Sequence, residues 1–336
     1  MKVSFIIPAY NSGHYIQRSI ESITTLKIEN YEIIVVNDGS VDNTFEIVHK
    51  MALSNQNIII IDKENNGVSA ARNDALDIAK GDFIMFVDAD DYIIENLANL
   101  LKTAQNYDLS IFGMIRKSRN GTIFDWSFKP RLYKGREILE LVKDMDALPL
   151  GSPCAKLFKA DILRTYNIRF KTGQKLFEDA CFVFQYLQHC DNVFVSDQAI
   201  YFYDTSGSVS SGFYGDVFFR DFKEYSKSQQ RLIKYFADRP DNLKTGCAYH
   251  EVMDKVTERN SFQHIATIYK LYRSSISSKY SWLTKCLKFA DENTPDWHKH
   301  LHYSVPKYIA LLHSHPLILH MILYPAFKTE KLFCKK

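Results

Sequence analysis

Along residues 1–100 the apolar positions alternate between two periods. Residues 3–7, 32–36, 58–61 and 83–87 are apolar or nearly apolar runs. Short runs of this kind suit strands buried on both faces of a parallel sheet. Between them the period lengthens. Tyr15, Ile16, Ile20 and Ile23 recur at helical spacing after the turn Asn11-Ser12-Gly13. A second helix is expected to run to about Ser54, with Asp42 or Asn43 as N-cap. A third opens at Asn65-Asn66-Gly67 and continues through Ala79, with Gly81 as its stop just past the C-cap. Strand alternating with helix predicts an α/β fold with a mostly parallel sheet flanked by helices.

Beyond Tyr107 the pattern is mixed. Residues 109–114, 193–195 and 199–203 read as strands and 136–148 as a helix. From Asp216 the pattern turns helical, over 217–239, 246–257, 262–274 and 280–291, and ends in an apolar tail. Serine and glycine cluster near 210–216, so the predicted division is an α/β catalytic domain over 1–215 and a helical region over 216–336. Met1-Lys2 leads straight into the first strand, which argues against a secretory leader. No uncharged apolar stretch reaches the ~18 residues of a spanning helix.

A hydrophobic fraction of 46% over 336 residues supports a substantial core, and a net charge of +3 is too balanced for a nucleic-acid binder. The six cysteines (154, 181, 190, 247, 286 and 334) show neither C-x-x-C nor zinc spacing, so free thiols in a reducing cytoplasm are expected.

The run 83–87 surfaces in Asp88-Ala89-Asp90-Asp91. Carboxylates crowded at one strand end repel and resist desolvation, and a divalent cation with oxygen ligands relieves both. Ligands in open α/β sheets lie outside the carboxyl ends of the strands, where this cluster falls. Asp91 is expected to N-cap a helix starting at Tyr92. A second copy of the pattern, Asp144-Met145-Asp146, sits at a predicted helix end and reads as a solvated face. The alternating His298, His300 and His302 read as a basic surface patch rather than a metal site. Pro8-Ala9-Tyr10-Asn11, Asn37-Asp38-Gly39-Ser40 and the helix start bearing Arg72 fall at the same sheet edge. An aromatic ring, a turn aspartate, an arginine and a carboxylate cluster together suit a nucleoside diphosphate.

Five ordered segments resemble a family 2 glycosyltransferase of the GT-A fold. They are residues 4–11, 32–40 with Asp42, Asn66-Gly67-Val68-Ser69-Ala70-Ala71-Arg72-Asn73, Gly81-Asp82-Phe83, and Asp88-Ala89-Asp90-Asp91. A later stretch, Lys156-Leu157-Phe158 through Phe177-Glu178-Asp179, also fits, so the likeness covers roughly residues 1–210. The resemblance implies an inverting, metal-dependent hexosyltransferase with a UDP-sugar donor and a glycan or lipid-linked acceptor. It implies a cytoplasmic enzyme of capsule, lipopolysaccharide or related polysaccharide assembly, and leaves homo-oligomerisation open. Separately, the apolar tail 305–336 with Lys328, Lys331, Lys335 and Lys336 suits peripheral docking on an anionic membrane face. Pro8, Ala9, Tyr10, Asn11, Asp38, Arg72, Asp88 and Ala89 would bind the nucleotide, with Asp38 accepting from the uracil N3–H. Asp90 with Asp88 would hold Mn²⁺ or Mg²⁺, and Asp179 would be the general base. One departure stands out: Asp204 occupies a position where many relatives carry arginine, so another cation would have to compensate. The alternatives are a haloacid-dehalogenase-like Mg-dependent phosphatase and a catalytically inactive nucleotide- or glycan-binding subunit. A dinucleotide oxidoreductase is disfavoured because no G-x-G-x-x-G follows the first strand.

Overall fold

The computed structural model of the chain describes all residues except 95–96, 118–120, 205–212, 240–248, 275, 277, 296, 298–315, 322 and 324–336. It divides into two compact units, one of residues 1–208 with 224–246, the other of residues 209–223 with 247–336.

The first unit opens with strict alternation: β1 (Val3–Ala9), α1 (Ile16–Thr24), β2 (Tyr31–Asp38), α2 (Thr44–Ser54), β3 (Ile58–Lys63), α3 (Val68–Ile78) and β4 (Phe83–Phe86). Next come β5 (Tyr92–Ile93), α4 (Leu97–Ala104), β6 (Leu109–Lys117), β7 (Ile123–Trp126), β8 (Arg131–Lys134), α5 (Ile138–Asp144), α6 (Ala147–Gly151), β9 (Lys156–Lys159), α7 (Ala160–Thr165), α8 (Glu178–Leu187) and β10 (Asn192–Asp204). The strands form one sheet in the order β3-β2-β1-β4-β9-β6-β10-β5, with β7 on β6 and β8 on β10. β3, β2, β1 and β4 run parallel. β9 is antiparallel to both β4 and β6, so the sheet is mixed beyond its first half. Pairing of Ala9 with Asn37 and of Ile6 with Phe86 brings the ends of β1, β2 and β4 to one edge. This is the α/β, mostly parallel architecture expected from the apolar runs. Beneath that edge Phe86, Phe158, Phe170 and Phe182 form an aromatic cluster, with Phe170 and Phe182 stacked at 3.9 Å between centroids.

Local readings differ in places. Gly81 does not end α3 in a left-handed cap; the helix stops at Ile78. A Cβ at Gly81 would lie 2.6 Å from the Ser4 backbone nitrogen, so glycine is required for close approach to β1. The stretch 193–203 is one strand with a register irregularity between Val195 and Ala199. The predicted helix at 136–148 is broken, leaving Asp144 and Asp146 either side of the join between α5 and α6.

Helix α9 (Asp216–Ala237) has residues to 223 in the second unit and those from 224 in the first. The second unit is otherwise built on α10 (Tyr249–Arg273) and α11 (Lys279–Asn293). The expected break near residue 260 is absent: α10 runs through it, and Ser261 Oγ donates back to the Thr257 carbonyl within the same helix. Ile268, Leu271, Leu283, Leu287, Ala290 and Trp297 make its core. Of the tail, Leu319 and Leu323 join that core, whereas Leu317, Ile318 and Met321 are exposed. Among the described residues no helix is long and apolar enough to cross a membrane.

A buried carboxylate secures the start of the sheet. Glu32 on β2 accepts from Ser4 Oγ and Lys2 Nζ, both at 2.5 Å, and from the Lys80 backbone N–H at 2.6 Å. Burial pushes its carboxyl up, but these three donors together hold it below the ordinary value of 4.5. Its stabilising contribution is therefore complete above 4.5 and lost as pH falls through the depressed folded value. Glu32→Gln should cost about 2 kcal/mol at neutral pH, within the range for hydrogen bonds to charged groups. Denaturant unfolding between about pH 7 and pH 3 checks this, since the variant should lose less stability on acidification than the parent.

Candidate active site

The loops leaving β1 and β2 are tied to each other and to the start of α3. Pro8 and Ala9 end β1, with Ala9 buried. Tyr10 follows, 53% exposed, with its ring open to cover a planar group. Asn11 adopts a left-handed backbone, φ 48°, and its Oδ1 accepts from the Val41 N–H at 2.9 Å. At the end of β2 the Asp38 carboxylate accepts the N–H groups of Asn66 at 3.0 Å and Gly67 at 2.8 Å. Asp38 thus shapes the loop that launches α3, and an ionised carboxylate keeps further lone pairs for a ligand donor. Gly67, at φ 86°, sits where glycine is favoured.

Arg72, on the second turn of α3, is the centre of the arrangement. Its side chain is 3% exposed. Nη2 donates to Asp88 Oδ1 at 2.9 Å and Nη1 to Asp179 Oδ1 at 2.5 Å. The guanidinium lies 5.0 Å from the Phe170 ring centroid, above the aromatic cluster. Burial lowers its affinity for the proton, yet the charges of Asp179 and Asp88 outweigh this and keep it cationic. One buried arginine therefore joins the turn after β4 to the first turn of α8. Its side-chain hydrogen bonds go to these two carboxylates.

The acidic turn divides its labour. Asp91 caps no helix: Tyr92–Ile93 is a short strand, and Asp91 is fully buried, accepting from Tyr201 Oη at 2.7 Å and the Asp204 N–H at 2.9 Å. Tyr201 Oη also accepts from the Asp88 N–H at 3.0 Å. Asp91 is thereby a structural pin, and Ala89 is buried beside it. Asp90 is pushed up to about 6, first by burial, then by the charges of Asp88 and Asp204. A carboxylate so placed gains from a nearby cation. Among the described residues no three His, Cys, Asp or Glu side chains gather into a metal cage. Asp90 and Asp88 nevertheless fit Mg²⁺ or Mn²⁺, which bind through one or two carboxylates with substrate phosphates and water completing the shell.

Three further groups, none given a definite role from the sequence, bear on the site. Arg18, on α1, donates to the Asp90 carbonyl at 2.7 Å, lies 3.9 Å from Asp204 Oδ2 and stacks over Tyr92 at 4.6 Å. It returns a positive charge beside Asp204, where the departure from the family pattern removes one. Glu178, left unassigned from sequence, is pushed up to about 7, first by burial and then by the Asp179 charge. Lys156 is fully buried, donates to the carbonyls of Pro149 at 2.5 Å and Ser152 at 2.6 Å, and is pushed down by burial to about 7. Burial also raises the Asp179 carboxyl; the Arg72 charge opposes this, and the Asp88 charge adds to it. The structure thus gathers Arg72, Asp88 and Asp179, with Asp90 beside Asp88, while Asp38, Tyr10 and Asn11 belong to the adjoining loops. His298, His300, His302 and the loop after Asp204 lie outside the described residues.

Comparison with known proteins follows the same outline. Residues 4–166 match the model of Glycosyl transferase family 2. The chain is 33% identical over 211 residues to the poly(ribitol-phosphate) beta-glucosyltransferase of Bacillus spizizenii, a match covering 60% of this chain and 32% of that protein. It is 28% identical over 236 residues to glycosyltransferase GlyG of Streptococcus pneumoniae, covering 62% of this chain and 72% of GlyG. The chain thus spans about a third of the first relative's length. Among solved structures, S. aureus TarS 1–349 in complex with UDP-GlcNAc superposes with a TM-score of 0.66 at 20% identity, covering 98% of this chain and 91% of that one. Its complex with UDP gives 0.67 at 19% identity, a likeness of fold.

Replacing Arg72 tests the bridge. Arg72→Met leaves two carboxylates without their cation and should cost about 3 kcal/mol, the lower end of the range for a broken buried pair. The lower end applies because Asp88 and Asp179 keep 32% and 34% of their side-chain surface open to solvent. Arg72→Lys should recover only part of this, since an ammonium does not fork to two partners in one plane. Thermal unfolding of the three proteins measures both differences.

Proposed function

We propose that this chain, which through residues 4–166 belongs to glycosyl transferase family 2, transfers a hexosyl group with inversion from a UDP-linked sugar to a hydroxyl of a glycan or lipid-linked acceptor. The setting we infer is cytoplasmic synthesis of a bacterial surface polysaccharide. The relatives named above, and a fold neighbour solved with UDP and with UDP-GlcNAc, support the donor and the pathway class. The observation that carries the proposal is the Arg72 bridge, which fixes the carboxylate of Asp179 beside the acidic turn. The family match over residues 4–166 favours this reading over the phosphatase alternative.

In this reading the loops carrying Pro8, Ala9, Tyr10, Asn11 and Asp38 receive the nucleoside, with Tyr10 covering the base. Asp88 and Ala89 border the ribose and diphosphate. Asp90 with Asp88 would hold Mn²⁺ or Mg²⁺, which when bound supplies stabilisation of the charge on the departing diphosphate. Asp179 accepts the proton of the acceptor hydroxyl as that oxygen attacks the anomeric carbon from the face opposite the diphosphate. A single displacement inverts the centre and requires one base. A carboxyl raised above its ordinary range is better matched to a neutral operating pH, and such a base contributes typically ~10²–10⁴-fold. Arg72 orients that carboxylate through Nη1, while Glu178 next to it holds a proton more readily than a free glutamate. The exposed Leu317, Ile318 and Met321 support peripheral contact of the tail with the membrane.

Asp179→Asn should retain UDP-sugar binding and lose transfer by roughly 10²-fold or more. In the parent the acid limb of kcat should lie above the ordinary carboxylate value of 3.8, because Asp179 is raised and must be ionised to act. Transfer at near-parental rate by the variant, or a product that keeps the donor's anomeric configuration, would contradict the assignment. EDTA should abolish turnover and Mn²⁺ or Mg²⁺ restore it, whereas Asp90→Ala should not be restored at the same metal concentration.

A further inference from the structure

Helix α8 has a second working face. Cys181, Gln185 and Gln188 follow Asp179 at steps that carry them about half a turn round the helix, away from the bridge. There they line a cleft of about 330 Å³, closed on other sides by Arg169, Lys171, His189 and, from α9, Glu224, Ser228 and Arg231. Phe170 lies under Arg72, while its neighbours Arg169 and Lys171 turn into this cleft. None of these residues has a role in the catalytic arrangement.

The lining has a definite chemistry. Arg169 pairs with Asp77 at 2.9 Å and Lys171 with Glu224 at 2.9 Å. Arg231 is exposed and makes no ion pair among the described residues. Lys227, Arg231 and Lys234, spaced four and three apart, form one exposed cationic stripe along α9 that extends the cleft's edge. Amides add a second character. Gln185 is exposed, and Gln174, buried in the lining, has an Oε1 with no hydrogen-bond partner among the described residues. The His189 ring stacks on half-exposed Tyr166 at 3.7 Å. Cations in excess over carboxylates, with amides and a ring pair, suit a chain that carries both hydroxyls and negative charge. Only the turn 174–177 separates Gln174 from the first turn of α8, where Asp179 stands.

We propose that this cleft holds a distal stretch of the acceptor, and that the acceptor is a hydroxyl-rich polymer with repeated anionic groups, phosphodiester or carboxylate. The inference rests on the transferase reading for its direction: the reacting end lies at Asp179, and the chain passes over the turn 174–177 into the cleft. Arg231 meets its charges, with Lys227, which pairs with Glu224 at 3.5 Å, beside it at the cleft's edge, and the glutamine amides meet its hydroxyls. A site of this kind favours long acceptors over short ones without touching the reacting atoms.

The test uses the full chain and four probes: glycerol-phosphate oligomers, hyaluronan oligosaccharides, neutral dextran, and anionic phospholipid vesicles. Binding is measured by calorimetry for the parent, Arg231→Glu and Gln185→Ala, with UDP titrated separately. Both side chains are exposed, and melting curves confirm folding. One of the two anionic polymers should bind, and which one binds identifies the anion. Arg231→Glu should weaken it roughly tenfold or more, as expected for loss of a charge-assisted contact plus added repulsion, with UDP affinity unchanged. No binding of either anionic polymer, equal binding by dextran, tighter binding to vesicles, or an Arg231→Glu variant that binds as the parent does would overturn the proposal. Failure of the parent to bind UDP would instead count against the transferase reading and leave the polymer result to stand on its own.

Discussion

One buried guanidinium holds together chain segments that sequence keeps far apart. Arg72 reaches Asp88, in the turn after β4, and Asp179, 107 residues beyond the arginine, at the start of α8. An arginine can do this because its planar fork offers donors in fixed directions and its charge survives burial. Without it the site would hold two like charges side by side at the mouth of an apolar core, with no cation between them. The aromatic cluster of Phe86, Phe158, Phe170 and Phe182 is a floor on which the cation rests, so packing and electrostatics reinforce each other. The Arg72 charge also opposes the effect of burial on Asp179 and favours its ionised form.

The remaining negative charge is managed locally. Asp91 gives up its acceptors to Tyr201 and the Asp204 N–H, which fixes the turn but removes it from any ligand set. Asp90 keeps its charge only against burial and two like neighbours, the condition in which an added cation brings the largest gain. Arg18, anchored to the Asp90 carbonyl and stacked on Tyr92, offsets Asp204 on the outer side. The turn is therefore held by a cation at Asp88 and by neutral donors at Asp91, with the crowded Asp90 carboxylate between them.

Much of this was legible in the sequence where a local rule decides. Apolar runs at 3–7, 32–36 and 83–87 become parallel strands because burial on both faces tolerates little else, and 58–61 becomes the partly buried edge strand beside them. The change from apolar run to Asp88-Ala89-Asp90-Asp91 marked the sheet edge for the same reason. What was not legible depends on distant partners. Asp91 resembles a cap by position, yet Tyr201 claims it from 110 residues away. Gly81 looks like a helix stop, yet β1 dictates it through close approach of Ser4. The bridge itself needed the third dimension: an arginine on α3 and an aspartate on α8 share no spacing rule. Arg18 was hidden likewise, since nothing near it in sequence signals that its helix passes beside Asp90 and Asp204.

The most direct measurement is a double-mutant cycle between Arg72 and Asp179, read in unfolding free energy with Arg72→Met, Asp179→Asn and the pair. If the guanidinium organises the site by holding that carboxylate, the two changes should couple by at least about 1 kcal/mol, as for residues in contact. The double variant should then be less destabilised than the two single costs added together. Additivity within about 0.5 kcal/mol, the behaviour of independent positions, would contradict the account.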